Sequence, residues 1–236
     1  MAFCKYKIIQ NSGELGLDLD TGELIIGDRI FPYLNSQDPA KVVSAKKRFT
    51  HEWWHVVFAN LTKEKQRELL VDFRENALKD PKMQTAVRFL CEKLYSEEAY
   101  DFHKINSENK DIFVDSGFGI KVKETITIDG DEVYGAFLLS EILSLSSESE
   151  TPDIEGYYNA VEPNDSYQHG LWQNKKELGR LSREIVSSMQ SFLIEDEFKE
   201  QTQKGIHLLS EINREYLLEK EGLQSEVNVI QEDIIK

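Results

Sequence analysis

The residues of this chain best suited to chemistry form the pentapeptide HEWWH, in which two histidines, His51 and His55, flank Glu52. Histidines four residues apart lie on one face of a helix, close enough for both imidazoles to bind a single metal ion. The glutamate that follows the first histidine is then placed to act on a metal-bound water. This spacing predicts a zinc site and makes the chain a candidate hydrolase.

The segment around the pentapeptide indicates a buried helix. Asp38 and Pro39 form a favourable helix start, with Asp at the N-cap and Pro in the first turn. Backbone N–H groups in the first turn have no acceptor within the helix, so a proline there costs no hydrogen bond. The following segment, 40–61, contains no Gly or Pro and is predicted to form one helix. The residues between and just after the histidines are bulky and uncharged, as expected for a helix beneath a cleft. A surface helix with two accidental histidines is the alternative, and these apolar flanks disfavour it.

Length, charge and cysteine content limit the functional classes. The 236 residues are enough for one large domain, or a domain with an appendage, and for a substantial core. A net charge of −15 argues against nucleic-acid binding and against adsorption to anionic membranes. Two cysteines, Cys4 and Cys91, suit a reducing compartment, and the sequence predicts neither a transmembrane run nor a signal peptide. We therefore expect a cytoplasmic protein, and no pattern indicates its oligomeric state.

The elements on either side of the histidine helix predict an α+β, zincin-like fold, mostly helical with a small N-terminal β-sheet and a β-hairpin. Alternating apolar and polar residues with turn residues between them predict strands at 5–10, 16–19 and 23–31. Two further helices and a hairpin are predicted at 62–78, 80–103 and 119–131.

The second half of the chain is predicted to be helical. The almost wholly apolar run 133–145 predicts a buried helix, and the Ser-, Glu- and Pro-rich segment 146–165 predicts a loop. Two amphipathic helices are predicted at 175–194 and 197–223. We predict a zincin-like metallopeptidase core over 1–150, and over 151–236 a loop and C-terminal helical hairpin packed on that core. The charged faces of the terminal helices are expected to be solvated rather than to mediate self-association.

A catalytic zinc needs a third protein ligand and one open position. The remaining histidines are poor candidates, since one ends a helix, one lies in a predicted loop and one lies on an amphipathic helix: His103, His169 and His207. A glutamate is the better candidate, and three compete. Glu97 forms an i, i+4 pair with Asp101 on a charge-rich helix and is expected to be solvated. Glu132 follows a turn, where acids commonly stabilise a helix N-terminus.

Glu141 differs from both because it is the single charged residue of 133–145. A lone buried carboxylate is costly unless it is paired or binds a metal. An ion pair with an Arg or Lys from elsewhere is therefore the alternative to a metal ligand. The burial argument ranks Glu141 ahead of Glu132 and Glu97.

Two segments carry a resemblance to a known family. The stretch Ser140-Glu141-Ile142-Leu143-Ser144 resembles the Asn-Glu-Ala-Ile-Ser segment that carries the third ligand in thermolysin-like gluzincins. The wider pattern is similar to bacterial zinc-peptidase-like proteins with a Gly-rich hairpin before Leu-Asn-Glu on a buried helix. The resemblance is close over His51–His55, loose over 135–144, and absent elsewhere. This chain departs from the pattern by Ser140 in place of Asn, by Leu145 in place of the downstream Asp that orients a histidine, and by the long gap before Glu141.

The resemblance implies a zinc-dependent metallopeptidase, with zinc held by His51, His55 and Glu141. Glu52 would act as the general base toward a metal-activated water, and a peptide or protein would be the substrate. Residues after the ligand helix could stabilise the oxyanion, although an ordinary loop residue is the favoured explanation for any single one of them: Tyr157, Tyr158, Tyr167 and His169. The acidic charge favours basic or neutral peptides as substrates.

Two other functions remain open on the sequence. The first keeps the zinc but makes the protein a non-peptidase regulatory or toxin-like effector module with a dedicated protein partner. The second is an acidic helical interaction protein in which HEWWH is accidental. The interaction protein would bind no zinc, so a chelator should leave its thermal midpoint unchanged. The peptidase and the zinc-binding module should both lose thermal stability when the chelator removes the metal.

Overall fold

The structure, a computed structural model, describes residues 5–18, 21–94, 125–128, 131–148, 166–189 and 195–221. These residues form an α+β arrangement in which helices predominate, as the sequence predicts. The strands are β1 (Tyr6–Ile9), β2 (Leu15–Leu17), β3 (Leu24–Gly27), β4 (Thr125–Ile128) and β5 (Asp131–Tyr134). The helices are α1 (Ile30–Leu34), α2 (Pro39–Asn60), α3 (Lys63–Asp72), α4 (Pro81–Leu94), α5 (Gly135–Glu148), α6 (Ser166–Ser188) and α7 (Glu195–Lys220), with a π-helical segment at Phe73–Ala77.

The N-terminal sheet has the strand order β1-β3-β2, with β1 parallel and β2 antiparallel to the central strand β3. Leu24 and Ile26 of β3 are fully buried, and they alternate with the partly exposed Ile25, as expected for a strand with one face on the core. The third strand is shorter than predicted. It ends at Gly27 because the chain turns at 28–29 and then forms α1, which buries Ile30 and Phe31.

The histidine-bearing helix α2 confirms the predicted start and length. The Asp38 side chain accepts a hydrogen bond from the Ala40 N–H at 2.9 Å, and Pro39 is the first helical residue. The helix contributes four of the largest fully buried side chains of the described core: Phe49, Trp53, Trp54 and Phe58. This burial fixes the orientation of the helix, since rotating it would expose large aromatic surface.

The second site helix, α5, is shifted relative to the prediction of 133–145. Val133 lies in β5, opposite Ile126 of the β4–β5 hairpin, and the helix begins at Gly135. It continues beyond Leu145 to Glu148. The buried Ser147 hydroxyl explains this extension, because it bonds to the Ser144 carbonyl of its own helix and, at 3.3 Å, to the Thr50 carbonyl of α2. A serine-rich sequence can therefore remain helical when its hydroxyls are satisfied by packing.

The C-terminal helices pack against the rest of the described chain. Helix α6 contacts α4 and α5, and α7 contacts α2. Their apolar faces are buried, through residues such as Ile185 of α6 and Ile212 of α7. The prediction of a boundary near residue 150 stays a prediction. The acidic tail after 221, and most of the predicted loop 146–165, lie outside the described residues.

Both tryptophans of the pentapeptide bind α7 through their indole N–H groups. Trp53 donates to the Gln201 carbonyl at 2.9 Å, and Trp54 donates to the Thr202 hydroxyl at 3.0 Å. Trp54 also stacks on Phe198, with ring centroids 4.4 Å apart. Helix α7 is therefore the support on which the histidine helix rests. No helix in the described part of the chain combines the length and apolar character needed to cross a membrane.

Close packing of α7 on α2 leads to a prediction about Gly205. A Cβ atom at this position would lie 2.5 Å from Cδ1 of the buried Trp53 ring, so Gly205→Ala must displace one helix from the other. We expect a loss of roughly 1–3 kcal/mol in the free energy of unfolding, measured by urea denaturation.

Gly179→Ala is the matched control, because a Cβ there meets its nearest atom, the Leu145 carbonyl oxygen, at an ordinary 3.5 Å. Its higher helix propensity should leave the protein unchanged or up to about 1 kcal/mol more stable. Equal stability of the two variants would contradict the close approach of Gly205 to Trp53.

Candidate metal centre

Two packed helices bring together the three residues that the sequence ranks first as metal ligands. Helix α2 carries His51 and His55, and α5, which packs along it, carries Glu141. Their side chains are largely but not fully buried, with 17%, 18% and 28% of their surface exposed. Within the described residues, these three form a group able to hold a metal ion.

The distances between the three side chains fit a shared ion. His51 Nε2 lies 3.3 Å from His55 Nε2. The two Glu141 oxygens face one histidine each, at 3.5 Å from His51 Nε2 and 3.4 Å from His55 Nε2. Two ligands bound at 2.0–2.1 Å to a tetrahedral ion are roughly 3.3–3.4 Å apart. These separations are longer than good hydrogen bonds and match the spacing of atoms around a metal.

The other nitrogen of each imidazole has a partner of its own. The carboxylate of Glu148, 2.8 Å from His51 Nδ1, can only accept, so His51 Nδ1 donates to it. His55 Nδ1 lies 2.7 Å from the Ser140 hydroxyl oxygen and 3.4 Å from that of Ser144. When both imidazoles are neutral and their Nδ1 protons are directed to these oxygens, both Nε2 atoms present lone pairs to the same point.

The charge around His51 favours a bound cation. Burial lowers the pKa of His51, but hydrogen bonds and charges from Glu141 and Glu148 outweigh it and raise this pKa to about 10. Without a metal, the two carboxylates therefore hold a proton on the imidazole. A metal ion that replaces this proton would be attracted by the same two carboxylates, Glu141 and Glu148.

Glu148 is a site residue that the sequence analysis missed. Leu145, which replaces the Asp of the gluzincin pattern, is buried in the core, and Glu148 lies against His51 three residues later. The error follows from ending the helix at 145. Glu148 lies seven residues after Glu141, which is two helical turns along the same face, and this spacing is the signal that could have identified it.

The other candidates are distributed as follows. Glu52 follows His51 in the sequence, is half-buried, and is not part of the metal-compatible group. Glu132 lies in β5, three residues before the start of α5 at Gly135. His207 is exposed on α7 near Glu211. Glu97, Asp101 and His103 lie outside the described residues.

The candidate oxyanion donors are only partly described. Tyr157 and Tyr158 lie outside the described residues. Tyr167 and His169 belong to the first turns of α6, so the prediction that they lie in a loop is wrong. The helix starts nine residues earlier than the predicted 175, because the segment 166–174 contains no proline and only one glycine.

Comparison of the chain with protein-family models, with curated proteins and with solved structures found no match. The metal-compatible group therefore stands on its own geometry, and the zincin-like fold remains an inference from the residues.

The first prediction from this site concerns metal content and the third ligand. The purified protein should carry roughly one zinc ion per chain, and a chelator should lower its thermal midpoint. Metal analysis of Glu141→Ala should show loss of the zinc. Glu132→Ala and Glu97→Ala, which remove equal charge at the two lower-ranked candidates, should retain it. Loss of zinc in either control with retention in Glu141→Ala would reassign the ligand.

The second prediction concerns the carboxylate behind His51. Glu148→Gln keeps the side-chain shape and an acceptor oxygen but removes the charge, so zinc affinity should fall about 10- to 100-fold. Competition with a chromophoric chelator would measure this change. Glu75→Gln, which neutralises an exposed carboxylate paired with Lys79, is the control. Equal zinc affinities of these two variants would contradict an orienting role for Glu148.

Proposed function

We propose that this protein is a zinc-dependent metallopeptidase of the gluzincin type, with zinc held by His51, His55 and Glu141. The observation that carries the proposal is the set of separations of 3.3–3.5 Å among these three side chains. Two histidines and one carboxylate are a donor set typical of catalytic zinc, which needs three protein ligands and one open position. The hydrogen bonds behind both imidazoles support the same assignment.

The chemistry divides between the ion and the protein. When bound, zinc would lower the pKa of water toward neutrality and polarise the scissile carbonyl. Glu52 is adjacent in sequence to one ligand and one helical turn from the other. Its carboxylate would accept a proton from the attacking water and pass that proton to the leaving amine. His51 and His55 stay oriented throughout by Glu148 and Ser140.

The choice of peptide bonds as substrate rests on the resemblance of HEWWH and SEILS to the gluzincin segments. The burial of α2 adds to it, because only two side chains of the pentapeptide, Trp53 and Trp54, point fully into the core. The remaining three, His51, Glu52 and His55, are each partly exposed. A helix with its polar residues on the accessible face and its aromatic residues anchored is the arrangement that a hydrolytic site needs.

The test of this function is Glu52→Gln. The variant should bind zinc normally while kcat/KM for peptide hydrolysis falls about 10²- to 10⁴-fold, because the amide cannot take the proton. Cleavage of a mixed-sequence peptide library, followed by mass spectrometry, provides the assay without assuming a specificity. Glu64→Gln, in the first turn of α3, is a control of equal charge.

The outcomes separate the competing functions. Zinc binding with hydrolysis that depends on Glu52 supports the peptidase. Zinc binding with no hydrolysis, or with hydrolysis that Glu52→Gln leaves unchanged, contradicts it and favours the regulatory or effector module. A protein that neither carries nor takes up zinc contradicts both.

A further inference from the structure

A second feature lies beside the N-terminal half of α2. There, β2, α1 and α2 enclose a cavity of about 350 Å³, which is within the size range of small-molecule sites. Leu15 and Ile30 contribute apolar walls, and Tyr33 contributes a ring and a hydroxyl. None of the three candidate zinc ligands lines this cavity.

Two arginines, Arg29 and Arg48, line this cavity and give it a positive charge. One N–H of the Arg48 guanidinium donates to the Gly13 carbonyl at 3.1 Å, and its other donors remain available. In the part of the chain that the structure describes, the Arg29 guanidinium has no hydrogen-bond or ion-pair partner. Among the described residues neither guanidinium is paired with a carboxylate, although the chain has 43 acidic and 28 basic residues.

Other charges near the cavity leave it positive. The Lys41 ammonium lies 5.6 Å from the centre of the Tyr33 ring, and so adds a third cation beside the lining. The carboxylate in the lining belongs to Glu14, which is exposed. The cavity thus concentrates positive charge within a protein that is acidic as a whole, and it attracts anions locally.

We propose that this cavity binds a carboxylate group, through Arg29 and Arg48. A guanidinium presents a planar fork of N–H donors that matches the two oxygens of a carboxylate. The apolar walls favour a carboxylate on a hydrocarbon stem over inorganic phosphate, which has no apolar part to bury. The Glu14 charge likewise disfavours a dianion relative to a monoanion.

The position of Arg48 connects the cavity to the metal centre. Arg48 precedes His51 by three residues and Glu52 by four, so all three share one face of α2 within about 6 Å of helix length. The carboxylate could therefore belong to an acidic side chain of a peptide or to a free organic acid. In the first case the cavity locally reverses the preference for basic and neutral substrates that the net charge suggests.

Calorimetry with the α-methylamides of N-acetylglutamate and N-acetylglutamine tests the proposal directly, because blocking the α-carboxyl leaves one carboxylate in the first probe and none in the second. The acid should bind at least about tenfold more tightly than the amide. Arg29→Gln and Arg48→Gln should each weaken binding of the acid by about tenfold or more. Arg214→Gln, which removes an exposed charge on α7 outside the cavity, should leave binding unchanged.

Arg29→Gln is the decisive variant, because the Arg29 side chain makes no described contact that folding requires, whereas Arg48 supports the Gly13 loop. Equal binding of acid and amide, or equal binding by wild type and Arg29→Gln, would overturn the proposal. Repeating the titration with Glu141→Ala makes the result independent of zinc, so the peptidase function and the carboxylate site can fail separately.

A final comparison identifies the source of the carboxylate once binding is shown. If the acid is part of the substrate, peptides containing Glu should be cleaved with higher kcat/KM than their Gln counterparts, and Arg29→Gln should remove the difference. If the acid is a separate ligand, the N-acetylglutamate α-methylamide should bind without competing with peptide turnover. Both results support carboxylate recognition, and they assign it to different molecules.

Discussion

Two carboxylates held against one histidine are the constraint on which the rest of the site depends. Glu141 and Glu148 both come from α5, and both face His51 on α2. Glu148 is almost fully buried, and a buried carboxylate is stable only if its charge is compensated. The imidazole supplies that compensation on one side. On the other side, a cation bound between His51, His55 and Glu141 would relieve the repulsion between the like charges that the fold has brought together.

The packing on the apolar face of α2 holds this helix in the orientation that places His51 against Glu141 and Glu148. Phe49, Trp53 and Trp54 fill the core, and the two indole N–H groups bind Gln201 and Thr202 of α7. Because the helix is held on its apolar side, the histidines on its other side need little reorganisation to meet α5. Rigid support of this kind is what keeps ligands within a few tenths of an ångström of their productive positions.

Much of the site could be predicted from local sequence, and the remainder depends on packing. The Asp38-Pro39 start and the i, i+4 histidines are short-range signals, and both appear in the structure. The isolation of Glu141 in an apolar helix was enough to rank it first, and in the structure its partly buried carboxylate lies near both histidines. Glu148 was missed because the helix was predicted to end before the serines that precede it, which have low helix propensity in isolation. In the fold the Ser147 hydroxyl is satisfied by neighbouring carbonyls, and the helix continues to Glu148.

The hydrogen bonds from the tryptophans to α7 also bear on when the site can form during biosynthesis. The indole donors and their acceptors are separated by 148 residues of chain. Contacts between such distant residues wait until the later segment has emerged from the ribosome, and they slow folding relative to local contacts. The histidine helix therefore acquires its final support only after α7 has been synthesised. The nascent chain carries both histidines long before it can lock them in place, so the metal-compatible geometry belongs to the finished protein rather than to its partly made precursor.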